Sequence, residues 1–293
     1  NNPRSQTANA QAGAAAALGP NRQHPAPWLQ RSLIGMVHVG ALPGTPKSAL
    51  SVGQLAAIAA AEAALLAESG FDAIVIENMH DAPYIDGVQS PEITVAMAIV
   101  ASSIRRELPK MPLGIQVLSR GTREAIAIAH ATELQFVRCE NFVFAHIGDE
   151  GLMPQAEAGP LLRYRRMLGA HNVAIYTDID KKHASHAITA DCSIAEWAQA
   201  AAFFGSDGLI VTGRATGQHA DLADVRSARE ATSLPVLVGS GVTPETLEET
   251  LVFADAVIVG SWFKQGGLWH NPPDAGRVRA MASAHKALRR DKK

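Results

Sequence analysis

From Leu33 to the last third of the chain, short β-branched runs alternate with Ala- and Leu-rich stretches of helical length. Eight apolar runs read as strands: Leu33 to Val39, Ala73 to Glu77, Leu113 to Leu118, Gln135 to Cys139, Val173 to Asp178, Gly208 to Thr212, Pro235 to Gly239 and Ala256 to Gly260. Each is short, rich in Val and Ile, and bounded by Gly, Pro or polar residues, as buried parallel strands are. Helices are expected to begin at Ser51, at Ser90-Pro91-Glu92, near Thr122 and at Thr243-Pro244-Glu245, where small hydroxyl residues and N1 prolines suit an N-terminus. Glycines at Gly70 and Gly205 fit left-handed C-terminal caps.

Eight repeats of strand, loop, helix and turn predict an α/β fold, a single (β/α)8 TIM barrel over residues 32–293. A doubly wound open sheet would place GxGxxG after its first strand. Here that strand runs instead into His38-Val39-Gly40-Ala41-Leu42-Pro43-Gly44. The connection from Glu140 to about Gln155 is too long for a plain turn, and predicts a lid or binding loop. Residues 1–31 carry Arg4, Arg22 and Arg31 among Ala, Asn, Gln and Pro, and the first acidic residue is Glu62. This bias predicts a flexible N-terminal extension with a targeting-like character.

Composition narrows the classes. With 47% hydrophobic and 18% charged residues, the 293-residue chain can bury a large core. A net charge of −2 and the lack of a basic stripe with interleaved aromatics argue against a nucleic-acid partner. No apolar run reads as a membrane span, so no membrane insertion is expected. Cys139 and Cys192 form neither a disulfide framework nor a thiolate metal motif, which fits a reducing compartment. The cytoplasm is the simplest location, with a mitochondrial or plastid matrix as the alternative if the basic N-terminal segment is a transit peptide. A homo-oligomer packed through outer helices is the expected assembly.

In a barrel the strand C-termini converge on one mouth. Reading that position strand by strand gives His38, then Glu77 with Asn78 and Asp81, then Gln116, Arg138 with Glu140, Asp178 with Asp180, Lys182 and His183, and Thr212 with Arg214 and Thr216. Glu77 follows Ile74-Val75-Ile76, where desolvation raises a carboxylate toward general-base values. Glu77 and Asp178 are therefore the candidate bases, and Lys182 and His183 the candidate acids. His38, Asn78, Asp81, Arg138, Thr212, Arg214 and Thr216 are expected to bind substrate. No cofactor is required, although Glu77, Asp178, Asp180 and His183 could together hold a hard divalent cation. At the seventh and eighth exits, Gly239-Ser240-Gly241 and Gly260-Ser261 predict a phosphate cradle, with Gly213 and Gly217 beside it. The expected partner is thus a small phosphorylated ligand.

The motifs GMVHVGALPGTP, IENMHDAPY, GDEGLMPQAEAGPLLRYRR, DIDKKHASH, IVTGRATG, LVGSGVTPE and IVGSWFKQGG occur in one order at successive strand ends. Over about Leu33 to Arg279 the chain resembles the BtpA/SgcQ family. That resemblance implies a barrel of the ribulose-phosphate-binding type and a phosphate or ribose ligand. It links the chain to photosystem I biogenesis in photosynthetic bacteria, and elsewhere to sugar or nucleoside metabolism. Carried over by motif, it supports Glu77, Asn78 and Asp81, then Asp178, Lys182 and His183, then Thr212, Gly213, Thr216 and Gly217, and the two Gly-Ser exits. Met79-His80 and Cys139-Glu140 depart from the expected pattern. Two functions follow: an enzyme acting on a phosphorylated sugar or ribosyl compound by acid–base chemistry, or a non-catalytic assembly factor that keeps the phosphate pocket.

Overall fold

The computed structural model describes residues 26–290. Eight parallel strands close into a barrel. In chain order the strands are β1 (Ser32–His38), β2 (Ala73–Glu77), β3 (Leu113–Gln116), β4 (Phe136–Cys139), β5 (His146–Gly148), β6 (Gly151–Met153), β7 (Ala174–Ile179), β8 (Ala184–Ser185), β9 (Gly208–Val211), β10 (Val236–Val238) and β11 (Ala256–Val259). The barrel runs β1-β2-β3-β4-β7-β9-β10-β11 and closes from β11 back to β1. These are the eight strands expected from the sequence, with ends shifted by one or two residues.

The helices are α1 (Val52–Ser69), α2 (Pro91–Glu107), α3 (Thr122–Ala131), α4 (Ala158–Leu168), α5 (Ile194–Phe203), α6 (Leu222–Ala231), α7 (Leu247–Phe253) and α8 (Ala275–Arg290). Ser51 and Ser193 close capping boxes with Gln54 and Glu196, which satisfies amide donors that would otherwise lack partners. By length and composition alone α1 could cross a membrane, contrary to the expectation that no stretch would qualify. It packs instead as an outer helix of the barrel, burying Leu55, Ala59, Ala63 and Leu66.

Period-2 alternation divides each barrel strand between two cores. Leu33, Val37, Ile74 and Ile76 face the helices. Ile34, Met36, Ala73, Val75, Phe136, Tyr176, Ile210, Leu237, Ala256 and Ile258 fill the interior. Large inward rings sit beside glycines: a Cβ on Gly114 would collide with the Phe136 ring, and one on Gly208 would lie 2.7 Å from Tyr176. Gly114→Ala is therefore expected to destabilise the fold by about 1–3 kcal/mol through overpacking, read as a lower midpoint in urea.

The packed fold starts earlier than the predicted boundary at Ser32. Leu29 is fully buried, and Trp28 stacks on Phe136 with ring centroids 5.3 Å apart, sealing the end of the barrel opposite the mouth. The rest of the predicted extension, residues 1–25, lies outside the described residues. The long connection after β4 is not irregular: β5 and β6 form an antiparallel hairpin, and β8 from the connection after β7 adds to it. That small sheet ties two exit loops together above one side of the mouth.

Candidate active site at the C-terminal mouth

The alternation that fills the interior also builds the site. One step beyond the last inward apolar layer, the inward positions are His38, Glu77, Gln116, Arg138, Asp178, Thr212, Gly239 and Gly260. Register places His38, Glu77 and Gln116 side by side on β1, β2 and β3. The top layer of the barrel is thus polar on six strands and bare on the last two.

The bare side is the anion cradle. Gly239 to Thr243 and Gly260 to Trp262 line a pocket with about 690 Å³ of open space, shared with His38, Glu77, Arg138 and Lys182. Among the described residues, the backbone N–H groups of Ser240, Gly241, Gly260 and Ser261 find no protein acceptor. Donors of this kind in a glycine-lined concavity are suited to a phosphate. Gly241 has φ 66°, and a Cβ there would strike the backbone of Gln218 and His219. Gly241→Ala is expected to weaken phosphate binding by at least about tenfold while the protein remains folded, as read by calorimetric titration with inorganic phosphate.

These donors do not belong to the helix N-terminus expected at Thr243. The helix after β10 begins at Leu247, not Thr243, and the Thr243 N–H donates to Thr246 Oγ1. The cradle is therefore turn backbone rather than a helix N-terminus.

A second compartment, about 1030 Å³, adjoins the first and shares Glu77, Met79, Arg138, Lys182 and Thr216 with it. Gln116, Glu140 and Asp178 line it, together with Asp149 and Glu150 at the hairpin turn. The Gln116 Oε1 is buried without a hydrogen-bond partner among the described residues.

The acids of the mouth differ in what they hold. Asp178 accepts two bonds from Arg138, Nε to Oδ2 at 2.9 Å and Nη2 to Oδ1 at 2.8 Å, with both residues buried. Burial opposes the Arg138 charge, but Asp178 outweighs it and raises the guanidinium above its ordinary value. Glu140 accepts from Lys181 Nζ at 3.1 Å and from the Arg120 N–H at 3.0 Å. Burial would raise Glu140, yet Lys181 and the Arg120 amide leave it lowered. Among the described residues, no protein group hydrogen-bonds to the Glu77 carboxyl, which burial raises against the opposing pull of Arg138 and Lys182. Glu77 is the acid left free to meet a ligand.

His38 lies beside it, Nε2 to Glu77 Oε2 at 3.6 Å. Its Nδ1 is 3.1 Å from the Trp269 carbonyl and must donate to it, which leaves the Nε2 lone pair toward Glu77. Burial, and then the Lys264 charge, lower His38 to about 3, so the ring is neutral at physiological pH. A Cβ on Gly260 would come within 3.2 Å of that Nε2, so the bare exit gives the imidazole its space.

Several predicted ligand contacts are structural. Asp81 accepts from the Leu42 N–H at 2.7 Å, Thr45 Oγ1 at 2.9 Å and Asn78 Nδ2 at 2.9 Å. Asn78 also accepts from the Leu118 N–H at 2.7 Å. Together the two residues pin the β1, β2 and β3 exit loops instead of binding substrate. Arg214 is exposed and lines neither compartment, and Gly213 packs against the backbone of Gln218 and His219. Thr212 closes the barrel layer with a buried, unpartnered Oγ1 but does not line the pocket. His183 lines the second compartment at its rim, and its Nε2 accepts from the Thr216 N–H at 3.2 Å, which braces two exit loops.

The metal alternative fits poorly too. Asp178 is committed to Arg138, and Asp180 lies against His186 at 3.3 Å. Among the described residues no three His, Cys, Asp or Glu side chains converge as ligands. Sequence reading did not assign Lys181, Trp269 or Trp262 to the site. The Lys-Lys pair at 181–182 was visible, but nothing in sequence says which lysine would be neutralised by Glu140.

Comparison with known proteins agrees with this architecture. Phosphoribosylanthranilate isomerase from Pyrococcus furiosus superposes with a TM-score of 0.52 at 14% identity, covering 88% of this chain and 99% of that one, and so shares the fold. An uncharacterized protein of Caenorhabditis elegans, named as mitochondrial, is 42% identical over 262 residues, 88% of this chain and 94% of that protein. The photosystem I biogenesis protein BtpA of Synechocystis is 34% identical over 256 residues, 86% of this chain and 87% of that protein. The profile of the BtpA family matches residues 29–287, and the chain accordingly belongs to the BtpA family.

Proposed function

We propose that the protein is an enzyme acting on a phosphorylated sugar or ribosyl compound by proton transfer, with Glu77 as the acid–base group. One observation carries this reading. A cradle of four unpartnered backbone N–H groups opens into the same pocket as the unpaired Glu77 carboxyl. The cradle fixes the phosphate, and the carbon skeleton then extends beneath Glu77 toward the second compartment.

Burial raises the Glu77 carboxyl above its ordinary value, the direction that suits a group which must both hold and release a proton. The neutral His38 offers its Nε2 lone pair to the protonated carboxyl and so orients it. The Gln116 amide is placed to meet a hydroxyl or carbonyl of the ligand. Asp178 and Arg138 shape the wall as a closed pair.

The assembly-factor reading rests on the name of the Synechocystis relative. A nematode, which has no photosystem, carries a relative of higher identity, so that partner is not adopted. The name of the same nematode protein supports a mitochondrial location over the cytoplasm, which fractionation of cells expressing the full chain would test.

The functional test is a panel of ribosyl and other sugar phosphates beside their unphosphorylated counterparts. Phosphorylated members are expected to raise the thermal midpoint, and one of them to turn over. If neither phosphate nor any sugar phosphate stabilises the protein, the reading fails.

A further inference from the structure

Among the described residues, the lysine and arginine side chains lining the two compartments are Arg138, Lys181 and Lys182, and of these Lys182 is the unpaired one. Arg138 is held by Asp178 at 2.8 Å, Lys181 by Glu140 at 3.1 Å and Lys264 by Glu62 at 2.8 Å. Lys182 has no ion-pair or hydrogen-bond partner on its side chain among the described residues, yet it lines both compartments beside Glu77. A lysine recruited only for structure would be expected to sit on a carboxylate, and three carboxylates are nearby. The loop that carries it is held in an unusual shape. Asp180 and His183, neither of them glycine, bracket the Lys181-Lys182 pair with φ 49° and 54°. Non-glycine residues in left-handed conformations persist where the surroundings over-determine them, and they cluster at functional sites.

We propose that Lys182 is a nucleophilic amine that forms an imine with the carbonyl carbon of an open-chain aldose or ketose phosphate, anchored through its phosphate at Gly239–Gly241 and Gly260-Ser261. This deepens the reading above and rests on its phosphate anchor. The Nζ lone pair adds to the carbonyl carbon while the carbonyl oxygen takes a proton from the Glu77 carboxyl. The nitrogen returns a proton to Glu77, the hydroxyl of the carbinolamine is protonated in turn, and water leaves as the C=N bond forms. Amine and carbonyl become imine and water, with no oxidant or reductant. A protonated imine then acidifies the neighbouring C–H, which places a carbon acid within the domain of Glu77.

The electrostatics agree with this geometry. Burial, and next the Arg138 charge, lower Lys182 from its ordinary value and favour the free amine that nucleophilic attack requires.

The test is reductive trapping of the full chain with ribose 5-phosphate or ribulose 5-phosphate and cyanoborohydride, followed by intact mass and peptide mapping. The expected result is one saturable adduct on Lys182, suppressed by inorganic phosphate, weaker with ribose, and lost in Lys182→Arg with the thermal midpoint retained. Adducts scattered over other lysines and indifferent to phosphate would overturn the proposal. So would the absence of an adduct while the sugar phosphates still raise the thermal midpoint, an outcome that leaves the phosphate anchor standing. If neither adduct nor stabilisation appears, both readings fall together.

Discussion

Replacing Arg138 with alanine is expected to destabilise the barrel by about 3–5 kcal/mol, because Asp178 would be left charged and unpaired in the wall of the mouth. Both partners are buried and joined by two hydrogen bonds of 2.8 and 2.9 Å, so little solvent is available to replace the guanidinium. In a domain of this size the thermal midpoint should fall by roughly 10 °C. The double variant Arg138→Met, Asp178→Leu should recover much of that loss, since paired apolar replacements remove the desolvation cost along with the attraction. Urea unfolding of Arg138→Met, Asp178→Leu and the double variant gives the coupling directly. Single losses below about 1 kcal/mol, or a double variant no better than the singles, would mean that the pair is not the closed unit described here.

The second large effect is at Glu77, and its sign differs between activity and stability. Glu77→Gln is expected to reduce turnover of the sugar phosphate identified by the panel by about 10²–10⁴-fold, the usual contribution of a general acid–base group. The affinity for inorganic phosphate should be unchanged, because the cradle lies on other strands. For stability, burial raises the folded-state value of Glu77 above that of the unfolded chain. The native state then binds its proton more tightly, and that contribution is lost as pH rises from the unfolded value of about 4.3 through the folded one. Glutamine has no proton to lose. The variant should therefore match the wild type near pH 4 and exceed it at neutral pH, as read by thermal midpoints across that range. Turnover within a few-fold of wild type would remove Glu77 from the chemistry, whatever its effect on stability.

The site was legible as far as it follows from period 2 along a strand. His38, Glu77, Gln116, Arg138, Asp178, Thr212, Gly239 and Gly260 each stand two residues beyond an inward or glycine position, so an extended strand aims them into the mouth. What each then does was not legible. Asp178 and Glu77 occupy equivalent places at the ends of apolar strands, yet one is saturated and the other free. The difference comes from β4 pairing with β7, which brings Arg138 to Asp178 across 40 residues of sequence. His38 read as a lone polar residue on an apolar strand. Its tautomer is set by the Trp269 carbonyl, 231 positions away. Asn78 and Asp81 looked like ligands because they follow Glu77 in a polar motif, but the chain turns there and spends both side chains on loop backbone.

By itself, then, the sequence determined the eight strands, the bare glycine exits of the last two and the polar ring above the barrel core. Those features depend on local alternation, turn chemistry and the absence of side chains, all of which are written residue by residue. The tertiary structure alone decided which carboxylate and which lysine stay unpaired, and that the long loop after β4 folds as a hairpin beside the pocket. Burial and partnership arise from contacts between segments far apart in the chain, and pairing, rather than residue type, separates a reactive group from a structural one.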